Sequence, residues 1–175
     1  MTGELIFLRP LEEMDAGRIV EWRNHPDVSS QMFSLRGPTL EEHQAWFQKY
    51  IGGTERKEFV ICLLGSGEPI GTIGLSNINM YHGTAEYGIL IGSSACRGKG
   101  YAHEASRLIL EYAFQGLGLQ KIALRVFSDN NAAIQLYERA GFEREGLLRR
   151  EFRKDGVYRD VVMMAAFGGC ALSAG

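Results

Sequence analysis

The sequence predicts an α+β protein: a mostly antiparallel central sheet of about seven strands, flanked by about four helices. Three observations carry this. Strand-like patterns outnumber helical ones. Several are joined by turns too short for a parallel crossover, at Gly65–Gly67, Tyr81–Gly83 and Lys154–Gly156. The chain has 175 residues, 45% of them hydrophobic, enough for one buried core and no second domain. That single domain is expected over residues 4–167, with 168–175 a small, featureless, frayed tail.

Each element has a local cause. Leu5 to Arg9 reads as a first strand. Glu12 to Asn24 reads as a helix, stopped before Pro26 because the residue preceding proline avoids helical angles. Thr39-Leu40-Glu41-Glu42 is a capping box that starts a helix carrying Trp46, Phe47 and Tyr50. Strand patterns follow at Glu58–Leu64, Pro69–Asn79 and Thr84–Gly92. A helical pattern from Ala102 ends near Gly116–Gly118, and Lys121–Phe127 is a strand. Asn130–Ala140 is a helix with Gly141 as its stop. Arg144–Arg153 and Val157–Phe167 form a closing hairpin.

Composition narrows the function classes. A net charge of −2 with no dense basic patch gives no surface for nucleic acid. The longest apolar run, Val161–Phe167, is too short to cross a bilayer, and Met1–Pro10 does not read as a signal peptide. Cys62, Cys96 and Cys170 form no Cys-x-x-Cys pair, and His25, His43, His82 and His103 show no metal-ligand spacing. The expectation is a reduced, cytoplasmic, metal-free protein.

The most informative stretch is Arg97-Gly98-Lys99-Gly100-Tyr101-Ala102, where a strand gives way to a helix. Small residues entering a helix expose backbone N–H groups without intrahelical partners, and the helix dipole adds positive potential there. Such a turn binds phosphate or pyrophosphate, and Arg97 and Lys99 add charge. Alone, the motif reads equally well as an ordinary strand–helix turn. It is not a P-loop, since Tyr101 stands where Ser or Thr is required. It also lacks the third glycine and distal acid of a dinucleotide fingerprint.

A second motif follows at the right separation: Asn130-Asn131-x-x-Ile134-x-x-Tyr137-x-x-x-Gly141-Phe142. Together with Arg97-x-x-Gly100-x-Ala102 it resembles the GCN5-related N-acetyltransferase (GNAT) superfamily, over nearly the whole chain. The resemblance implies the GNAT fold and acetyl-CoA as cofactor. It places the pyrophosphate on Arg97, Gly98, Lys99, Gly100, Tyr101 and Ala102. The pantetheine falls along Ile89, Leu90 and Ile91, and further contacts at Asn130, Ala133 and Tyr137. The ending Gly156-x-Tyr158-x-Asp160, with Met163 and Met164 behind, looks like the ribosomal-protein acetyltransferase branch. The segment Trp22-Arg23-Asn24-His25-Pro26, with Met32-Phe33-Ser34 and Glu42-His43, resembles the N-acetyltransferases of pseudaminic acid biosynthesis. That implies a nucleotide-linked amino sugar as acceptor, held by Arg23, His43, Ser76, Asn77 and Glu86. Ser76-Asn77 departs from a Thr-Lys pair found in that family, which puts one phosphate contact in doubt. Rival readings are transfer to a protein α-amine or to a polyamine, and a non-catalytic acetyl-CoA-binding module. A homodimer is compatible with all of them.

Three residues are candidates for chemistry. Tyr137 reads as packing by its spacing, and as the acid that protonates the departing thiolate by its motif. Glu86 shares a strand face with Gly88 and Leu90, opposite Tyr87, Ile89 and Ile91. It reads equally as a general base and as a rim carboxylate that only orients the amine. His43 is a surface histidine by base expectation, and a substrate contact or second base by the resemblance. Arg23 has a planar fork suited to phosphate, or else pairs with Glu21 or Asp27. Trp46, Phe47 and Tyr50 read as packing rather than as a platform for a nucleobase, with Trp46 alone open to both roles.

Overall fold

The computed structural model describes residues 1–51 and 53–169. Seven strands form one sheet: β1 (Ile6–Pro10), β2 (Lys57–Leu63), β3 (Pro69–Asn79), β4 (Thr84–Ile91), β5 (Lys121–Phe127), β6 (Glu143–Lys154) and β7 (Val157–Phe167). Their order is β1-β2-β3-β4-β5-β7-β6. Every neighbouring pair is antiparallel except β4 and β5. The helices are α1 (Ala16–Asn24), α2 (Pro26–Ser29), α3 (Leu40–Ile51), α4 (Tyr101–Glu111) and α5 (Asn131–Arg139). No helix among the described residues is long and apolar enough to cross a membrane.

The sheet matches the expected architecture, and the helices depart from it in three places. The expected helix Glu12–Asn24 is a 3-10 turn, Glu13–Asp15, followed by α1. Pro26 does not merely end α1; it opens α2, with His25 between them as N-cap accepting from Asp27 N–H. Proline suits the first position of a helix, whose N–H has no partner anyway. Beyond α4, Tyr112–Gly116 widens into a π turn. Residues 170–175, most of the expected tail and with it Cys170, lie outside the described residues. The described unit starts before residue 4: the Met1 ammonium donates to the Leu8 carbonyl at 3.0 Å, and Leu8 N–H returns a bond of 2.7 Å.

Strand alternation gives the sheet two different faces. Ile61, Ile73, Leu75 and Tyr87 point to one and form the main core with Ala105, Leu108 and Ile109 of α4. Val60 and Cys62 point to the other and bury against Leu11, Ile19 and Phe47, which come from α1, α3 and their flanks. Cross-strand partners share a face. The registers Val60–Thr72–Leu90 and Glu58–Gly74–Gly88 therefore put all six residues on the α1/α3 side. Close packing there depends on Gly92, where a Cβ would stand 2.2 Å from the Trp22 ring.

One buried carboxylate fastens α4 to the start of the chain. Glu104 accepts from the backbone N–H groups of Glu4, Leu5 and Ile6, at 2.6, 2.9 and 2.9 Å. Gly3 lets the chain come this close, since a Cβ there would lie 2.5 Å from the Glu104 carboxyl carbon. Glu104→Ala leaves three amides without their acceptor, at about 1–3 kcal/mol each. Urea unfolding is expected to show a loss of at least about 3 kcal/mol by the same reckoning. A loss below about 1 kcal/mol would mean that water replaces the carboxylate.

Candidate active site

The site begins where two strands part. β4 and β5 pair in parallel only over Thr84–Glu86 and Lys121–Ala123. Beyond that, Tyr87–Ile91 and Leu124–Phe127 continue without pairing to each other. Tyr137, from α5, lies below the opening. It packs edge-on against Tyr87 and Phe142, with ring centroids 5.7 and 5.9 Å away. Burial pushes its phenol up to about 12, so it stays protonated throughout the neutral range. The Tyr87 hydroxyl is closed off: it pairs with Ser106 Oγ at 2.6 Å, and Ser106 donates to the Ala102 carbonyl. Tyr137 is thus the phenol that lines the cleft with its proton available.

The loop ahead of α4 has the geometry its glycines predict. Ser94–Cys96 is a 3-10 turn, and Gly98 and Gly100 take left-handed φ values of 72° and 85°. Gly100 is the N-cap of α4 and offers no side chain, so the amides of Tyr101, Ala102 and His103 form an uncapped helix start. Arg97, expected to add charge for an anion, also lies 3.4 Å from Asp27 of α2, in an exposed and weak pair. Asn130 Oδ1 caps α5 by accepting from Ala133 N–H at 3.2 Å. Its side chain has a structural task here.

On the α1/α3 face lies a cleft of about 550 Å³. Arg23, His43, Ser76, Ile89, Leu90 and Tyr137, all expected from sequence, converge on it. Arg23 does not pair with Glu21 or Asp27; its guanidinium turns inward, and the buried Nε has no hydrogen-bond partner among the described residues. Burial lowers its pKa, and Glu58 opposes that shift. His43 is buried, and burial together with Arg23 lowers its pKa, so the imidazole is neutral at neutral pH. Asn77 falls outside this cleft. It sits in left-handed conformation at a bulge in β3, beside a second hollow lined by Trp46, Tyr50 and Arg56. Glu86 is on the expected face, across from Ser76, but exposed and outside the cleft lining. Trp46 packs against His43 and stacks on Tyr50, and it also lines the cleft.

Residues given no role from sequence complete the cleft, Met32 and Phe33 having been noted only as part of a motif. Glu58, Arg56 and Arg125 line it, and Arg56 donates to Glu58 Oε1 at 2.8 Å. Met32 and Phe33 form its roof, between α2 and α3. That roof is clamped from the far end of the chain. The Lys154 ammonium donates to the carbonyls of Ser29, Met32 and Ser34. Arg159 donates to the Ser30 carbonyl at 2.9 Å and lies over the Phe127 ring. Phe33 stacks on Phe127, with Phe152 edge-on. The sequence signal was Lys154 and Arg159 around the closing turn, but the carbonyls they hold in the roof are 120 or more residues away.

The comparisons with known proteins agree with this geometry. A family model described as Acetyltransferase (GNAT) domain matches residues 6–143. Spermidine N(1)-acetyltransferase from Escherichia coli K12 is 35% identical over 167 residues, covering 95% of this chain and 88% of the relative. The structure of Vibrio cholerae spermidine N-acetyltransferase with CoA and spermine superposes with a TM-score of 0.89, at 33% identity over 94% of this chain and 96% of that one. Acetyltransferase PseH from Campylobacter jejuni is 28% identical over 132 residues, 75% of this chain and 79% of the relative. The open strand pair, the uncapped helix start and the buried phenol are parts that fit acetyl-CoA, the cofactor of this family. The protein belongs to the GNAT acetyltransferase family.

Proposed function

We propose that this N-acetyltransferase acts on a primary amine of a small molecule, by direct transfer in a ternary complex. The observation that carries the reading is the parting of β4 from β5 above Tyr137, with the polar cleft on the same stretch of β4. Bound acetyl-CoA supplies an acetyl thioester at that opening. The amides of Tyr101, Ala102 and His103 hold its pyrophosphate. Backbone groups of Gly88–Ile91 receive the pantetheine and polarise the thioester carbonyl. Tyr137 gives its proton to the leaving sulfur. Neither free cysteine among the described residues, Cys62 or Cys96, lines the cleft, so no acyl-enzyme is invoked.

For the acceptor, similarity favours a polyamine. The spermidine enzyme of E. coli shares 35% identity over 95% of this chain, against 28% over 75% for PseH. This backs a polyamine better than the nucleotide-linked amino sugar implied by the Trp-Arg-Asn-His-Pro motif. One observation favours the second reading. Arg23, Arg56 and Arg125 face the cleft, while its carboxylate Glu42 is held by Arg36 and one oxygen of Glu58, Oε1, by Arg56. The orphaned Nε of Arg23 suits an anionic acceptor better than a polycation.

Three measurements test these assignments. Gly98→Glu adds bulk and negative charge where a Cβ meets no protein atom within 4 Å, at a φ of 72°. The fold is expected to survive the left-handed strain of roughly 1–2 kcal/mol, while calorimetry shows acetyl-CoA binding largely lost. Unchanged binding would remove the loop from the cofactor site. Tyr137→Phe keeps the ring and removes the proton donor, so kcat is expected to fall by about tenfold or more with cofactor affinity unchanged. Wild-type kcat, where chemistry limits the rate, would show that the hydroxyl is not the acid.

The third measurement offers spermidine, spermine, a UDP-linked 4-amino sugar and a peptide α-amine, with products read by mass spectrometry. Acetylation of a small amine is expected, and acetylation of the peptide alone would overturn the reading. Arg23→Ala then separates the acceptors. It is expected to raise the KM for a nucleotide sugar by about tenfold or more, through loss of a charge-assisted contact, and to leave that for spermidine nearly unchanged.

A further inference from the structure

Glu58 holds a position that the reaction has use for. Its backbone is on β2, and the register Glu58–Gly74–Gly88 runs straight across β2, β3 and β4 on the cleft face. The two positions between Glu58 and the open side of β4 are both glycine, so no side chain intervenes. The carboxylate leans into the space above Gly74: a Cβ there would stand 2.3 Å from Glu58 Oε2. Arg56 holds the other oxygen, Oε1, at 2.8 Å. The backbone is fixed as well, since Glu58 N–H donates to the Tyr50 hydroxyl at 3.2 Å. Adjacent strands lie about 4.8 Å apart. An oxygen above Gly74 is therefore about one strand spacing from the β4 backbone at Gly88. That gap fits one amine nitrogen, hydrogen-bonded to Oε2 on one side and facing an acyl carbon held on β4 on the other.

We propose that Glu58 is a catalytic residue of the transfer: its Oε2 binds the acceptor's ammonium group and takes the proton that must leave before attack. This rests on the acetyltransferase reading above. An amine arrives as R–NH3⁺. Glu58 takes one proton and later releases it to solvent. The nitrogen lone pair forms the C–N bond to the acetyl carbon as the C–S bond breaks. The second proton lost by nitrogen ends on sulfur, with Tyr137 as the donor that is then reprotonated. The balance is R–NH3⁺ and acetyl thioester giving the acetamide, the thiol and H⁺.

The alternatives are placed less well. Glu86 is exposed and sits two residues along β4 from Gly88, about 7 Å away at the strand rise. His43 is buried beside Arg23, which weakens it as a base. Burial raises the Glu58 carboxyl above its usual range, while Arg56 and Arg23 pull it back. The titratable or charged groups that share its cleft are Arg23 from α1, Glu42 and His43 from α3, Arg56 beside it, Tyr87 from β4, Arg125 from β5 and Tyr137 from α5.

The test is Glu58→Gln, which keeps size and one acceptor oxygen for Arg56 and removes the base. With whichever amine the wild type acetylates, kcat/KM for the acceptor is expected to fall about 100-fold or more at neutral pH, the scale of general-base loss. The KM for acetyl-CoA should stay within about twofold, as for a group that does not touch the cofactor. In the wild type, kcat/KM should drop as pH falls through an acid limb lying above the ordinary glutamate value of about 4.3. Glu58→Gln should abolish that limb. A variant within about threefold of wild type, with the limb intact, overturns the proposal, as does loss of the limb in Glu86→Gln or His43→Gln instead. Should Glu58→Gln fail to fold, Glu58→Asp carries the test, since it withdraws the carboxylate by one methylene. A lower kcat with unchanged acetyl-CoA KM supports the role, and an unchanged kcat overturns it. A wild type that acetylates no amine overturns the acetyltransferase reading itself, a separate outcome from an active wild type and an unimpaired Glu58→Gln.

Discussion

The parallel pairing of β4 with β5 lasts for three residue pairs and then stops. The rest of the site depends on that short ladder. Two strands that stayed paired would satisfy each other's backbone groups and leave no room for a ligand; here the β5-facing groups of Tyr87–Ile91 remain available. The opening is wedged from below by aromatic packing of Tyr87, Tyr137 and Phe142. The same divergence aims the end of β4 at the glycine loop. One rigid element thus aligns the uncapped helix start, the unpaired edge of β4 and the Tyr137 phenol.

The second constraint is electrostatic. Arg23, His43, Arg56 and Glu58 occupy one half-buried cleft, where charges interact more strongly than at the surface. Burial biases each group toward its neutral form: it raises Glu58 and lowers His43 and Arg23. The Glu58 carboxyl is thereby moved toward neutral pH, whereas the His43 imidazole is moved away from it and held neutral. By contrast, Arg36–Glu42 is solvent-exposed and serves the cap of α3.

Features set by local chemistry were legible in the sequence. The capping box at Thr39–Glu42 forms both of its reciprocal bonds. Gly98 and Gly100 adopt the left-handed angles that their loop requires. Alternation along β4 correctly separates Glu86, Gly88 and Leu90 from Tyr87. What escaped depends on distant partners. Glu104 looks like any helical glutamate until Glu4, Leu5 and Ile6 bring it three amides. Glu58 looks like a strand-edge charge until β3 presents a glycine beside it. Pro26 signals a break in helix and a start of helix alike, and only the His25 cap decides between them. The resemblance grouped Arg23, His43, Ser76 and Asn77 in one pocket; the first three line the cleft, whereas Asn77 lines the neighbouring hollow.

The Lys154 clamp has a consequence for the making of the protein. A chain emerging from the ribosome exposes Ser29–Ser34 long before Lys154 has been added, 120 to 125 residues later. Through that interval the roof segment has no cation to gather its carbonyls and no Phe152 to lean on. The cleft beneath that segment is therefore completed only after the closing hairpin has been translated, and β5, whose long ladder is with β7, waits for the same hairpin. A chain cut before the closing hairpin would lack the clamp on Ser29–Ser34 and the long sheet partner of β5 together.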